Sequence, residues 1–124
     1  MLAADSSSLI AYLKGEQGND VDLIESALDR GELFLPPVVI TELLSDAKSR
    51  TALAPQLAAC TMLDVLPGYW ERAGGTRAIL LAKGLTAKIP DALIAQSCID
   101  HDVALITRDN DFRHFAKHCG LKLA

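Results

Sequence analysis

The chain has few cysteines and no closely spaced pair of them. Three occur in 124 residues, at Cys60, Cys98 and Cys119, and no CxxC spacing is present. Zinc knuckles and thioredoxin-type redox sites both need such a spacing, so the sequence excludes these two kinds of site. We therefore expect three reduced thiols in a cytosolic protein.

Aromatic residues and long apolar runs are also scarce. Only 5% of the residues are aromatic although half are hydrophobic, so leucine, isoleucine, valine and alanine must build the core. That composition favours helices packed on a parallel sheet over an aromatic-rich barrel. No apolar run approaches the roughly 20 residues of a membrane span, and an acid at Asp5 interrupts any secretory-type segment. These features predict a soluble, cytoplasmic protein without a membrane partner.

Signatures for nucleotide cofactors and serine nucleophiles are absent as well. The chain holds no GxGxxG or Walker A stretch, and the serines of residues 6–8 lie in no GxSxG elbow. The formal net charge of −4 argues mildly against binding nucleic acid through a general basic surface. It does not exclude a nuclease, because divalent ions at the substrate phosphate would offset it.

Short apolar runs alternate with longer periodic segments along the chain. Strands are predicted at Leu2–Ala4, Leu33–Leu35, Met62–Leu66, Ala104–Ile106 and, at an edge, Leu121–Leu123. Helices are predicted at Leu9–Lys14 (capped by the serines of residues 6–8), Val21–Arg30, Val38–Ala47, Ser49–Cys60, Tyr69–Lys83, Pro90–His101 and from Asp109 to His118. Because the strands are apolar on both faces, we expect one α/β domain over residues 1–124, a three-layer α/β/α sandwich with a mainly parallel central sheet.

Several carboxylates lie close to the predicted carboxyl ends of these strands. Asp5 ends the first strand, Asp109 and Asp111 follow the strand that closes at Ile106, and Asp91 lies at the start of a helix. In such sheets ligands bind at the carboxyl ends of the strands. The alternative for each aspartate is simple capping of a helix N-terminus, where acids complement the dipole.

Glu42 differs from the aspartates because it interrupts an apolar segment, residues 38–44. An acid there must be exposed or have a partner, since burying it unpaired is costly. Several carboxylates brought together raise one another's pKa unless a cation neutralises them. Hard oxygen ligands select Mg²⁺ or Mn²⁺, and phosphodiester hydrolysis is the chemistry that such a site favours.

Four segments resemble, in order and spacing, the motifs of the PIN-domain family. They span nearly the whole chain and are Ala4–Ala11, Ile40–Leu44, Ile89–Ala95 and Ala104–Phe112. The small size resembles the VapC-type toxins of toxin–antitoxin pairs. The resemblance implies an endoribonuclease that uses Mg²⁺ or Mn²⁺ to hydrolyse RNA with a metal-activated water.

The resemblance also implies roles for individual residues. The family's cluster of catalytic, metal-binding carboxylates corresponds to Asp5, Glu42, Asp91 and Asp109. Asp111 matches a second metal-binding acid of the last motif, although it could instead cap the last helix. Ser7 and Thr107 match polar positions that support the cluster, since metal-binding carboxylates need orienting partners. Each of these two could equally be a helix cap or a strand-end hydroxyl.

The resemblance implies protein partners too. One is an antitoxin whose tail covers the active-site groove and can insert a basic side chain among the acids, and the other is a second copy in a homodimer.

Two further interpretations stay open, a catalytically silent PIN-like module that binds RNA or a partner, and a different Mg²⁺-dependent phosphotransfer domain. A dehalogenase-type phosphatase would need a second Asp where this chain has Ser7. Lys88 and Arg108 are the only cations close in sequence to the acids.

Overall fold

A parallel sheet of four strands forms the centre of the fold. The structure is a computed structural model that describes the backbone of residues 1–124 and the side chains of all except residues 49, 53, 54 and 56. The strands are β1 (Leu2–Ala4), β2 (Leu33–Leu35), β3 (Thr61–Met62) and β4 (Ala104–Ile106). They pair in the order β3-β2-β1-β4, and every pairing is parallel.

Helices fill the connections between the strands and follow the last one. They are α1 (Ser6–Leu13), α2 (Asn19–Asp29), α3 (Pro37–Ser45), α4 (Ala47–Ala58), α5 (Tyr69–Ala82), α6 (Ile89–His101) and α7 (Arg113–Cys119), with a 3₁₀ turn at Asn110–Phe112. Helices therefore alternate with short buried strands, as in a three-layer α/β/α sandwich. The predicted fold class is confirmed, and the sheet is parallel throughout.

The direction of the chain across the sheet reverses beside β1. From β1 the chain proceeds outward through β2 to β3, and it then crosses back to place β4 on the other side of β1. Parallel crossovers are right-handed, so connections that run in opposite directions lie on opposite faces of the sheet. The crevice between the carboxyl ends of β1 and β4 is consequently the switch point at which such folds bind ligands.

Aliphatic side chains dominate the core, as the composition predicts. The largest fully buried side chains are Phe112, Phe115, Ile24, Leu33, Leu35, Leu43, Leu80, Ile94, Leu105, Ile106 and Val39. Within the described residues, no helix is long and apolar enough to cross a membrane, and none of the three cysteines forms a disulfide.

The predicted start of the first helix is wrong. α1 begins at Ser6, three residues earlier than predicted, and its N-cap is Asp5 rather than one of the serines. The carboxylate of Asp5 accepts a hydrogen bond from the Ser8 backbone N–H, which satisfies one free donor of the first turn. The serines of residues 6–8 therefore belong to the helix, and their hydroxyls donate to the carboxylates of Glu42, Asp5 and Asp20.

Two predicted strands are shorter than expected. The third was predicted at Met62–Leu66 but covers only Thr61–Met62, at the edge of the sheet where both residues are exposed. Its last ladder bond runs from the Leu63 N–H to the Leu35 carbonyl, and Pro67 then turns the chain away. The final segment, predicted as Leu121–Leu123, makes one parallel bridge in which Leu123 pairs with Leu105.

The two leucines of that bridge test how far the core extends. Leu105 is fully buried whereas Leu123 is 44% exposed. We expect Leu105→Ala to lower the free energy of unfolding by about 2–5 kcal/mol, because it leaves a cavity in the core. Leu123→Ala should cost less than about 1 kcal/mol. Urea unfolding of both variants measures the difference, and equal losses would contradict the assigned core.

Candidate active site

Asp5 lies directly after β1 and is almost entirely enclosed. Its side chain caps α1, and Oδ1 accepts the Ser8 N–H at 3.1 Å. Two hydroxyls also donate to it, Ser7 Oγ at 2.9 Å from both carboxylate oxygens and Thr107 Oγ1 at 2.5 Å from Oδ2. Capping is therefore real at Asp5, and the donors also fix the direction of its carboxylate.

The electrostatic environment of Asp5 opposes its negative charge. Burial is the largest influence and raises its pKa above the usual value, and the nearby charge of Asp109 raises it further. The hydrogen bonds from Thr107, Ser8 and Ser7 work in the opposite direction but do not offset the burial. A cation beside such a buried carboxylate would stabilise its charged form.

Thr107 joins Asp5 to the loop that follows β4. While its hydroxyl donates to Asp5, the same oxygen accepts the Asp109 N–H at 3.0 Å. Asp109 in turn caps the 3₁₀ turn, since its Oδ1 accepts the Asp111 N–H at 2.9 Å. The alternative of Asp111 as the cap of the last helix is wrong, because Phe112 is the N-cap residue of α7 and no side chain caps that helix. Asp111 is exposed in the first turn.

Three carboxylates form a tight group at this edge of the sheet. Oxygens of Asp91, Asp109 and Asp111 lie within 4.8 Å of one another. Asp91 is partly buried in the first turn of α6, and burial together with repulsion from Asp109 and Asp111 raises its pKa to about 6. Lys88, the N-cap residue of α6, approaches Asp111 at 3.7 Å and lowers the pKa of Asp91. Its one charge does not balance the group.

Glu42 faces the same group from α3. Its Oε1 accepts a hydrogen bond from Ser6 Oγ at 3.2 Å, so the acid in the apolar segment has a partner. Burial raises the pKa of Glu42, and the charge of Asp5 raises it further. Glu42 also raises the pKa of Asp91. Glu42 and Asp5 lie outside the 4.8 Å group but interact with it through their charges.

The structure thus places every sequence-predicted site residue at one edge of the sheet. The supporting positions, Ser7 and Thr107, both contact Asp5. Arg108 binds Asp20 at the start of α2, a partner that could not be predicted from the sequence. No sequence signal distinguishes Asp20 from an ordinary acid at a helix N-terminus, because its partner lies 88 positions away.

The donor set of the tight group fits a hard divalent cation. It consists of carboxylate oxygens alone, and Mg²⁺ and Mn²⁺ prefer such ligands over nitrogen or sulfur. Burial and repulsion from Asp109 and Asp111 raise the pKa of Asp91, and a bound cation would favour its charged form. The group lies near the switch point of the sheet, where folds of this kind bind ligands.

Comparisons with known proteins agree with this fold. The family model described as PIN domain matches residues 3–118. A crystal structure of VapBC2 from Rickettsia felis, bound to a DNA fragment from their promoter, is 18% identical with a TM-score of 0.80. A crystal structure of DNA-bound VapBC from Salmonella typhimurium is 17% identical with a TM-score of 0.73. Each alignment covers 99% of this chain and 96% of the other chain. No curated protein gives a significant match.

The burial of Asp91 and its repulsion by Asp109 and Asp111 predict a pH-dependent stability of the metal-free protein. The folded-state pKa of Asp91, about 6, lies above the usual value of 3.8, so the protonated form is favoured by folding. Its contribution is present below pH 3.8 and is lost as the pH rises through about 6. After allowance for solvent screening, the loss amounts to about 1 to 2 kcal/mol.

Asp91→Asn should remove this dependence. In EDTA at pH 7.5 we expect the variant to melt at a higher temperature than the wild type, and at pH 4 the two should nearly coincide. Glu25→Gln, at an exposed acid of α2, serves as the control and should change neither melt. A lower melting temperature for Asp91→Asn at pH 7.5 would contradict a repulsive carboxylate group.

Proposed function

The chain belongs to the PIN domain family, and we propose that it is a metal-dependent endoribonuclease, the toxin of a type II toxin–antitoxin pair. The observation that carries this proposal is the group of Asp91, Asp109 and Asp111 at the switch point of the sheet, with Asp5 and Glu42 beside it. Helix capping alone would not need five acids at one edge of the sheet, of which Asp5, Glu42 and Asp91 have raised pKa values. Such an arrangement is instead suited to holding a cation at a phosphodiester.

We assign Mg²⁺ or Mn²⁺ to this group as the cofactor. Asp91, Asp109 and Asp111 would supply the nearest ligands, and Asp5 would add the buried charge beside them. When bound, such an ion lowers the pKa of a coordinated water and offsets the negative charge of the phosphodiester. The choice of Mg²⁺ or Mn²⁺ rests on the all-oxygen donor set.

The residues around the group are proposed to orient and to accept protons. Ser7 and Thr107 hold the Asp5 carboxylate in one direction, as supporting residues of metal ligands do. Glu42 has a raised pKa and is hydrogen-bonded to Ser6, which suits a carboxylate that takes the proton of the attacking water at its free oxygen. The substrate class proposed is RNA, cleaved by hydrolysis of a phosphodiester.

A protein partner forms part of the proposal. The two similar crystal structures are VapBC complexes by name. For this chain we propose an antitoxin whose tail covers the acidic group, where a basic side chain would take the place of the cation. The chain is also proposed to act as a homodimer. Charge complementarity supports the antitoxin. Among the described residues Lys88 is the only cation paired with the acidic group, so a basic side chain of a partner would find negative charge there.

Loss of the Asp5 charge should abolish cleavage while the fold is kept. The test incubates the protein, purified from any co-expressed partner, with structured RNA in Mn²⁺, Mg²⁺ or EDTA. We expect metal-dependent cleavage by the wild type and a loss of at least about 100-fold in Asp5→Asn, because even residues that merely support metal ligands are worth 10–100-fold. Asparagine still caps α1, so the melting temperature should change little.

Asp102→Asn is the matched control for this experiment. Asp102 lies before β4, at the opposite edge of the sheet, and pairs with Lys122. Its left-handed backbone, with φ of 52°, also suits asparagine. The control should cleave like the wild type. Failure of the folded wild type to cleave any RNA, although it binds Mn²⁺, would favour the silent binding module instead.

A further inference from the structure

Arg108 lies between two residues of the site but its side chain is directed away from them. It follows Thr107 and precedes Asp109 in the loop after β4. Its guanidinium binds Asp20 at two points, with Nε at 2.7 Å from Oδ2 and Nη2 at 3.0 Å from Oδ1. Nη1 also donates to Glu16 at 2.9 Å. Such two-point pairs fix orientation as well as distance, because the planar fork matches the carboxylate.

The acid that receives Arg108 is connected to the site by a second bond. Asp20 Oδ2 accepts the hydroxyl of Ser8 at 2.8 Å. Ser8 is fully buried, so its hydroxyl would be costly without a partner. The backbone N–H of the same Ser8 donates to Asp5. Asp20 is therefore bound both to the loop after β4 and to the first turn of α1.

These contacts close a ring around the switch point. Asp5 accepts from Thr107 on one side and from Ser8 on the other, while Arg108, the neighbour of Thr107, binds the Asp20 that holds Ser8. The ring joins the loop after β4 to the start of α1 through bonds that no regular secondary structure supplies. Both segments carry proposed metal-binding acids.

Gly18 allows this ring to form. A Cβ at that position would lie 2.5 Å from Asp20 Oδ1 and 3.2 Å from Arg108 Nη2, on the two atoms that pair with each other. A side chain there would push against both partners, and the backbone φ of 154° is itself one that L side chains rarely adopt. Glycine at this position therefore leaves room for Asp20 and Arg108 to pair.

We propose that Arg108 and Asp20 are positioning residues, which hold the loop bearing Thr107 and Asp109 against the α1 turn bearing Asp5 and thereby set the spacing of the metal-binding carboxylates. This inference rests on the proposed metal site. It gives Arg108 a role different from contact with RNA, since its donors are bound to Asp20, Glu16 and the Gln17 carbonyl.

Charge alone predicts a different result from positioning. Removing Arg108 takes a positive charge away from an acidic region, which by itself would strengthen cation binding. Removing the charge of Asp20 would by itself weaken it. If the pair acts by positioning, both changes weaken binding, because either one opens the ring. The change in Mn²⁺ affinity caused by removing Arg108 therefore distinguishes the two explanations: charge alone predicts tighter binding, and positioning predicts weaker binding.

The experiment measures Mn²⁺ affinity by calorimetry, without RNA, for the wild type, Arg108→Ala, Arg108→Lys and Asp20→Asn. We expect Arg108→Ala and Asp20→Asn each to raise the Kd for Mn²⁺ by about 10- to 100-fold. Lysine keeps the charge but not the two-point geometry, so Arg108→Lys should recover only part of the affinity. Unchanged or tighter Mn²⁺ binding in Arg108→Ala would overturn the proposal.

Arg72→Ala is the matched control, because the chain contains a second pair of the same kind. Arg72 binds Asp100 at two points, at 3.0 and 2.6 Å, and also donates to a backbone carbonyl. This pair joins α5 to the end of α6, at the other end of α6 from Asp91. Arg72→Ala should lower the melting temperature much as Arg108→Ala does, with Mn²⁺ affinity within about twofold of the wild type.

Hydrogen exchange tests the positioning role of Arg108 without any metal. The Ser8 and Asp109 N–H groups donate to Asp5 and Thr107, so an open ring should expose both. We expect faster exchange at these two amides in Arg108→Ala and no change there in Arg72→Ala. If the wild type binds no Mn²⁺, the proposed function fails, whereas exchange at Ser8 and Asp109 still supports or overturns the positioning role. Unchanged exchange in Arg108→Ala would overturn it.

Discussion

The contact on which the site depends is the hydrogen bond from the Thr107 hydroxyl to the Asp5 carboxylate. It joins the ends of β1 and β4, which are neighbours in the sheet although they lie about a hundred residues apart in the chain. The register of the two strands places Ala4 opposite Ile106, so the next residues of both strands emerge side by side. Parallel pairing at the switch point therefore brings an acid and its orienting hydroxyl to the same edge of the sheet.

Around this contact lie several carboxylates whose negative charges do not stabilise the metal-free fold. Asp5, Glu42 and Asp91 all have raised pKa values, with burial as the first cause and neighbouring acids as a further one. Fewer acids at this edge would favour the stability of the metal-free fold, because each raised pKa opposes the charged form. The cost is understandable if the edge is built for a cation, since repulsion between ligands becomes attraction once a cation is bound.

Much of the fold could be predicted because its signals are local. Three of the four strands have the predicted bounds, since short apolar runs between turn residues mark buried parallel strands directly. The exceptions are places where a non-local choice intervenes. Asp5 caps α1 in place of the serines because it already lies at the strand end, and β3 is short because it is an exposed edge. Asp109 likewise caps the 3₁₀ turn after β4, because it lies closer to the end of that strand than Asp111 does.

The order of the elements, the aliphatic core and the candidate acids can be inferred from the sequence, because each depends on residue type and spacing along the chain. Which of these acids lie close enough to affect one another, and which residues hold them there, follows only from the folded structure. Burial, together with the charges of Asp109 and Asp111 on another loop, raises the pKa of Asp91 to about 6. Arg108 binds Asp20, which lies 88 positions away in the chain. Electrostatic interactions depend on distance in space, and only the packing of helices and strands makes neighbours of positions far apart in sequence.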